Sequence, residues 1–96
     1  MVALNDIKAR RDEIIRICES HGGHNVRVFG SVARGDAHED SDIDFLIHLD
    51  SDRSLIDQAA IIRKLQDLLG HKVDVVPDSS LHRIIRDKVL LEATPL

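Results

Sequence analysis

Two stretches decide the fold: Val28-Phe29-Gly30-Ser31 and, ten residues further along the chain, Asp42-Ile43-Asp44-Phe45. Both carry the apolar residues of a half-buried strand, and the first ends abruptly at its glycine. The residues between them predict a brief helix over Ser31–Arg34, closed by Gly35, and then a polar loop. The sequence therefore predicts two strands whose ends carry a glycine-serine turn and a pair of carboxylates.

The flanking segments predict further helices and one more strand. Apolar residues at helical spacing predict a first helix from Asn5 to Glu19, which Gly22-Gly23 ends. Ser54 and Asp57 form the pattern of a capping box at the start of a long helix that ends at Gly70. The remaining elements are a short strand over Val73–Val76 stopped by Pro77, and a last helix capped by Asp78 or Ser79 with apolar residues at Leu81, Ile84, Ile85, Val89 and Leu90.

This order of elements predicts the fold class. Helix, strand, small helix, strand, long helix, strand and helix follow one another without an internal repeat or a linker, which is typical of one small α/β or α+β domain over residues 1–96. We expect a mixed sheet of three or so strands with helices packed mainly on one face. The other face then stays partly open, and the carboxylates lie at that open end.

The composition limits which ligands and which cellular location we expect for this chain. The formal net charge of −4 argues against direct nucleic-acid binding, which relies on Lys and Arg displacing counterions from phosphates. Phe29 and Phe45 are the two aromatic residues, so a bound nucleotide must be held mainly by its phosphates. The single cysteine, Cys18, cannot form an internal disulfide, which fits a cytoplasmic protein. No apolar stretch reaches the ~20 residues of a membrane span, and the N-terminus lacks a signal-peptide core, so we expect no membrane association.

Three carboxylates indicate a metal site. Asp42 and Asp44 are two residues apart on a strand, so both side chains point to the same face, roughly 6 to 7 Å apart. A divalent cation such as Mg²⁺ relieves their repulsion, because it prefers carboxylate oxygens and leaves positions for phosphate. Asp74 is the natural third member if its strand pairs beside that of Asp42. Each acid also has a simpler explanation, since Asp-x-Asp pairs occur by chance and a charge in an edge strand guards against edge pairing.

The glycine-serine turn supplies the second half of a phosphate site. Gly30 lets the backbone approach a phosphate closely, and the Ser31 hydroxyl and the N–H groups of the helix that begins there point toward an anion. Arg34 is a further candidate for phosphate contact, although a solvated helix charge or a pair with nearby acids explains it equally well. A plain strand-to-helix turn with a serine cap is the simpler explanation of Gly30 and Ser31.

Other motifs fail at particular residues. Gly30 and Gly35 have the spacing of a P-loop, but Asp36 stands where that motif needs Lys. An EF-hand loop that begins at Asp40 fails because Phe45 replaces its required glycine. The six histidines include no HExxH pair, and one cysteine cannot build a zinc finger.

Taken together, the apolar-Gly-Ser turn, the Asp-x-Asp pair and the later Val73-Asp74-Val75 resemble the signature of the DNA polymerase β-type nucleotidyltransferase superfamily. Within it, the small size and the runs Ser31-Val32-Ala33-Arg34-Gly35 and Ser41-Asp42-Ile43-Asp44 resemble the minimal nucleotidyltransferase (MNT) proteins over essentially the whole chain. The resemblance implies catalytic residues that also bind two Mg²⁺ ions, namely Asp42, Asp44 and Asp74, and nucleotide-binding residues, namely Gly30, Ser31, Arg34 and Ser41.

The same resemblance implies a function. It implies an antitoxin encoded beside a HEPN-domain toxin ribonuclease, which several family members neutralise by transferring AMP from ATP to a toxin tyrosine. ATP is then the substrate, and the toxin is the partner in a hetero-oligomer. Two alternatives stay open: inhibition by binding and occlusion without catalysis, and transfer to a small molecule, which the lack of an extra domain for an acceptor pocket disfavours. The tail from Glu92 to Leu96 is the favoured segment for contact with a partner.

Overall fold

A computed structural model gives the structure of the chain and describes residues 2–96, except for the side chain of Ile84. The predicted apolar positions of the last helix include Ile84, whose side chain thus lies outside the described residues. The α-helices are α1 (Leu4–Ala9), α2 (Arg11–Ser20), α3 (Gly30–Arg34), α4 (Leu55–Leu69) and α5 (Arg83–Glu92), with a 3₁₀ turn over Asp78–Ser80. The strands are β1 (Gly23–Phe29), β2 (Ile43–Leu49), β3 (Val73–Pro77) and β4 (Thr94–Pro95). None of the helices over residues 2–96 is long and apolar enough to cross a membrane.

The strands form one mixed sheet in the order β3-β2-β1-β4. β1 runs antiparallel to β2 and to β4, whereas β2 and β3 run parallel. β2 lies between two neighbours, and four of its seven residues are buried, which makes it the central strand of the core. The predicted small α+β fold with a mixed sheet is confirmed.

β4 is an addition to the predicted sheet. A strand of two residues that includes a proline carries no alternation to detect. It forms because Thr94 pairs with Val28 of β1 and because the N–H of Leu96 donates to the carbonyl of Val26 at 3.0 Å. The C-terminal end of the chain is therefore fixed beside the strand that leads to the glycine-serine turn.

The main core lies between one face of the sheet and helices α1 to α4. Its buried residues are Ile7, Ile14, Cys18, Val26, Val28, Val32, Ile43, Phe45, Ile47, Ile61, Leu65, Val73 and Val75. Within β2, Ile43 and Phe45 face this core, so Asp44 between them points to the opposite face. The alternation that predicts the strand thus also predicts which face carries the charge.

The predicted first helix is two helices. The chain leaves the helical conformation at Arg10, whose φ is −112° and ψ is 20°. There the guanidinium of Arg10 donates to the carbonyl of Leu68 in α4 at 2.9 Å. Helical periodicity continues across the break, so the local sequence pattern does not reveal it.

The predicted cap of the last helix is wrong. Asp78–Ser80 form a 3₁₀ turn, and α5 begins only at Arg83, after His82, whose side chain makes no capping hydrogen bond. The carboxylate of Asp78 instead accepts a hydrogen bond from Arg27 at 3.2 Å. A basic partner from β1 therefore engages the residue that the sequence assigned to the helix.

The predicted capping box at the start of α4 is present. The Ser54 hydroxyl accepts a hydrogen bond from the N–H of Ile56 at 3.2 Å, and the Asp57 carboxylate accepts one from the N–H of Ser54 at 3.3 Å. The hydrogen bond from Ser54 is the main cause that holds the pKa of Asp57 below its usual range. The start of α4 is therefore fixed by its own side chains.

We expect Ser54→Ala to lower the free energy of unfolding by about 1 kcal/mol, because an N–H at the helix start loses its acceptor. In a domain of this size such a loss lowers the Tm by about 4 to 8 °C. Ser51→Ala, in the exposed turn before the helix, is the matched control and should change stability by less than about 0.5 kcal/mol. Thermal unfolding measures both, and equal losses in the two variants would contradict the role of the cap.

Candidate active site

The acids predicted to form the site come together at one end of the sheet. In the parallel pair of β2 and β3, Asp44 and Asp74 are register partners. In the antiparallel pair of β1 and β2, Asp44 is the partner of Phe29, the residue before Gly30. The end of β1 and the starts of β2 and β3 therefore meet at Asp44, with Asp42 two residues before it. The condition on which Asp74 joins the group, that its strand pairs beside the strand of Asp42, is therefore met.

Asp44 is the acid of this group whose ionised form is disfavoured by its surroundings. It is half-buried, whereas Asp42 and Asp74 are exposed. Burial, followed by the negative charges of Asp74 and Asp42, raises the pKa of Asp44 to about 6. Like charges and burial both disfavour the ionised form of a carboxyl group. The site thus concentrates more negative charge than its surroundings neutralise, and a bound cation relieves that condition.

At Gly30 the backbone packs closely against the carboxylate of Asp44. Its φ is +75°, in the left-handed region that favours glycine. A Cβ built on Gly30 would collide with Oδ2 of Asp44. Glycine is therefore required both for the backbone conformation and for the close approach of a carboxylate. The sequence predicts close approach to a phosphate, and the structure adds this second reason.

Glu92, the last residue of α5, is a site residue that the sequence analysis missed. Its Oε1 accepts a hydrogen bond from the N–H of Gly30 at 3.0 Å. Nη1 of Arg34 donates to both carboxylate oxygens of Glu92, at 3.3 and 3.2 Å. The two contact residues are separated from Glu92 by 62 and 58 positions, so no local pattern marks it.

Arg34 lies between two acids. Besides its bonds to Glu92, its Nε donates to the carboxylate of Asp36 at 3.3 Å. These hydrogen bonds, that to Glu92 first, raise the pKa of Arg34 above its usual value. A pair with nearby acids is one of the explanations that the sequence left open, and the structure shows those pairs.

The C-terminal tail is engaged within the chain. After Glu92, β4 pairs with β1, and Nε of Arg11 donates to the carbonyl of Leu96 at 2.7 Å. The sequence favoured this tail for contact with a partner. Its contacts within the chain join it to the sheet and to α2, and contact with a partner stays a prediction.

The two predicted serines have different surroundings. Ser31 is half-buried in α3, directly after Gly30. The hydroxyl of Ser41 accepts a hydrogen bond from the N–H of His38 at 3.0 Å, and its own N–H donates to the His38 carbonyl at 2.9 Å. Ser41 therefore shapes the turn that leads to Asp42. Direct contact of either serine with a nucleotide stays a prediction.

Asp42 opens onto a polar cleft at the start of β2. The cleft has a volume of about 250 Å³ and is lined by Glu39, Asp40, Ser41, Asp42, His71 and Lys72. The lining mixes acids with a lysine. Because Asp42 is exposed in this cleft, its carboxylate is accessible to solutes.

Two glutamines of α4 hold the strand that carries Asp74. Oε1 of Gln66 accepts a hydrogen bond from the N–H of Val73 at 3.2 Å, and Nε2 of Gln58 donates to the carbonyl of Val75 at 2.8 Å. β3 is an edge strand, with β2 as its neighbour in the sheet. The residues before and after Asp74 are therefore fixed from the helix side, and the carboxylate keeps its register beside Asp44.

The donor set suits a hard divalent cation. In the part of the chain that the structure describes, no three His, Cys, Asp or Glu side chains are arranged to hold an ion by themselves. Mg²⁺ needs no such cage, because it usually takes one or two carboxylates and completes its shell with water and phosphate oxygens. The crowded charge around Asp44 is the observation that fits this ion.

Comparison with known proteins agrees with this geometry. The family model of the nucleotidyltransferase domain matches residues 11–95. Among sequence relatives, the protein adenylyltransferase MntA of Thermococcus cleftensis is 42% identical over 74 residues, which cover 77% of this chain and 75% of that protein. Each of the two matched stretches of this chain spans its glycine-serine turn and its Asp-x-Asp pair.

Solved structures share the fold. One, described as a candidate minimal nucleotidyltransferase, has a TM-score of 0.88 and 45% identity, and the match covers 99% of this chain and 97% of that one. Another is a complex of tri-AMPylated Shewanella oneidensis HEPN toxin with an MNT antitoxin, matched with a TM-score of 0.70 and 19% identity over 92% of this chain and 69% of that one. The second likeness concerns the fold alone. The chain belongs to the nucleotidyltransferase domain family, as its resemblance to the minimal nucleotidyltransferases predicted.

Proposed function

We propose that this chain is an antitoxin that transfers AMP from ATP to a tyrosine of a HEPN-domain toxin ribonuclease. The observation that carries the proposal is the crowding of Asp42, Asp44 and Asp74 beside the Gly30 turn in a member of the nucleotidyltransferase family. A relative named protein adenylyltransferase and a solved complex that contains an AMPylated HEPN toxin support the choice of acceptor.

The residues of the site divide the task. Asp42, Asp44 and Asp74 would hold two Mg²⁺ ions, which would supply positive charge to neutralise the triphosphate and the departing pyrophosphate. Gly30, which has no side chain, lets the phosphates approach the turn closely, and Ser31 presents its hydroxyl. Burial and the neighbouring acids raise the pKa of Asp44, and a bound cation would offset this by stabilising the ionised form.

The transfer forms one bond and breaks one. The phenolic oxygen of the toxin tyrosine attacks the α-phosphorus of ATP, and the bond from that phosphorus to the pyrophosphate oxygen breaks, with the electron pair leaving on pyrophosphate. Asp74 is exposed beside Asp44 and accepts the phenolic proton. Positioning and electrostatics account for most of the acceleration in such a reaction, so a small domain suffices.

The exposure of the acids favours a protein acceptor over a small molecule. Asp42 and Asp74 are both exposed, so the reacting edge of the sheet lies open to solvent. A small acceptor is usually enclosed in a pocket that covers most of its surface. A partner protein brings its own covering surface with the acceptor tyrosine.

The test is the transfer of label. The toxin partner is incubated with this protein, Mg²⁺ and ATP labelled at the α-phosphate, and its intact mass is then measured. We expect the mass to rise by a whole number of AMP units, and we expect Asp42→Asn and Asp44→Asn to lower the rate on the order of a thousandfold. Asp52→Asn, an exposed acid in the turn after β2 and at the other end of that strand from the site, is the matched control and should keep the wild-type rate.

The same variants separate catalysis from occlusion. If the two inactive variants still co-purify with the toxin and still rescue growth of cells that express it, the protein neutralises by binding and the transfer proposal fails. If they lose both the label and the rescue while they remain folded, transfer is the means of neutralisation. Label on a small molecule but never on the toxin would support the small-molecule alternative instead.

A further inference from the structure

Glu92 occupies a place that the register of the sheet dictates. β4 pairs with β1 so that Thr94 is opposite Val28 in an antiparallel ladder. Gly30 comes two residues after Val28, directly after the end of β1, and Glu92 comes two residues before Thr94. The Glu92 side chain therefore meets the Gly30 N–H where the ladder, if continued, would supply the next partner, and it accepts that hydrogen bond at 3.0 Å.

The carboxylate is held from several sides. Its side chain is 18% exposed, and Arg34 donates to both of its oxygens at 3.3 and 3.2 Å. The residue ends α5, and the next residue, Ala93, donates its N–H to the carbonyl of Val89 at 2.9 Å. With a helix before it and a paired strand after it, Glu92 is not on a segment that swings freely.

Two roles are compatible with these partners. In the first, Glu92 occupies the phosphate position at Gly30 and Arg34, and the nucleotide must displace it. In the second, it stays in place and fixes the turn. Displacement would leave a largely buried carboxylate without its partners and beside Asp44, whose pKa Glu92 already raises. The second role is therefore favoured.

We propose that Glu92 is a positioning residue of the nucleotide site. Its carboxylate fixes the turn by accepting the hydrogen bond of the Gly30 N–H, and Arg34 holds that carboxylate in place. Because Gly30 lies against Oδ2 of Asp44, the position of the turn also sets the position of that carboxylate. The role rests on the proposed function, since it assigns a task within the same nucleotide site.

The experiment compares Glu92→Ala with Glu92→Gln in the absence of the toxin. The amide oxygen of glutamine can replace Oε1, which accepts from both Gly30 and Arg34, whereas alanine replaces nothing. In Glu92→Ala we expect hydrogen exchange at the Gly30 amide to be about tenfold faster or more, and the affinity for Mg²⁺–ATP to fall about tenfold or more. In Glu92→Gln both should stay within about threefold of wild type. Asp87→Ala, exposed on the same helix, is the matched control and should leave both unchanged.

Two outcomes would overturn the inference. Tighter Mg²⁺–ATP binding in Glu92→Ala would show that Glu92 occupies the phosphate position. A lower Tm in Glu92→Ala with unchanged affinity and unchanged Gly30 exchange would show a merely structural role. If wild type binds Mg²⁺–ATP but never labels the toxin, the proposed function fails, whereas the binding and exchange results still decide the role of Glu92.

Discussion

The Asp44→Asn protein should unfold at a higher temperature than wild type while it loses nucleotide transfer. In the absence of metal, burial and the charges of Asp74 and Asp42 raise the pKa of Asp44 to about 6 from its ordinary value of 3.8. That difference corresponds to roughly 3 kcal/mol in a fully buried group, and since Asp44 is only half-buried, screening by solvent reduces the expected gain to about 1 kcal/mol. The Tm should therefore rise by about 4 to 8 °C at pH 7.5.

The pH dependence has a definite sign. Between pH 3.8 and about 6, Asp44 binds more protons in the folded than in the unfolded protein, so its contribution to stability falls as pH rises. Asparagine does not titrate. The Tm difference between Asp44→Asn and wild type should therefore be absent below about pH 4, grow through the interval and be largest above about pH 6.

Mg²⁺ reverses the order of stability. A ligand that binds only the folded protein stabilises it in proportion to the logarithm of its concentration above Kd. Wild type should therefore gain Tm as Mg²⁺ and ATP are added, whereas Asp44→Asn should gain little. Scanning calorimetry across pH, with and without Mg²⁺–ATP, measures both effects, and Asp52→Asn, in the exposed turn after β2, serves as the control. A destabilised Asp44→Asn without metal would contradict the crowding of charge on which the site is argued.

The parts of the site that local pattern determines were predictable from the sequence. The alternation around Asp44 predicts both the strand and the face that carries its charge, and the apolar residues on either side of Asp74 predict a strand there. Ser54 and Gly70 bound α4 as expected, because a hydroxyl at the start and a left-handed glycine at the end satisfy backbone groups locally.

The parts that depend on distant contacts were not predictable. Glu92 acts through hydrogen bonds from Gly30 and Arg34, about 60 positions away, and Gln58 and Gln66 each act through one hydrogen bond to β3. Such residues have the same character as any surface acid or amide of a helix. The break at Arg10 has the same cause, because its partner lies in α4. Local periodicity predicts which face of its own helix or strand a residue occupies. The roles of these residues depend on their hydrogen-bond partners in other elements, which periodicity does not reveal.

Gly30→Ala should be the most damaging single substitution at the site. The residue has a φ of +75°, and a new Cβ would collide with the carboxylate of Asp44. We expect a loss of about 1 to 2 kcal/mol from the backbone conformation and a similar further loss from the collision. Nucleotide binding should fall at least about a hundredfold, because the turn and the carboxylate cannot both keep their positions.

Gly70→Ala separates the two causes. Gly70 also has a left-handed φ, of +67°, but a Cβ there meets no heavy atom within 4 Å. It ends α4, so alanine there carries the conformational penalty alone, about 1 kcal/mol, and should leave Mg²⁺–ATP binding unchanged. The excess loss in Gly30→Ala over Gly70→Ala then measures the collision.

The collision itself is tested by the double variant. Shortening Asp44 to alanine removes the atom that a Cβ on Gly30 would strike, so Gly30→Ala should cost about 1 to 2 kcal/mol less in the Asp44→Ala background than in wild type. Two independent sites would give strictly additive losses of stability. Additivity would therefore show that Gly30 is glycine only for its backbone conformation, and the close approach to Asp44, on which the site and the role of Glu92 both depend, would have to be abandoned.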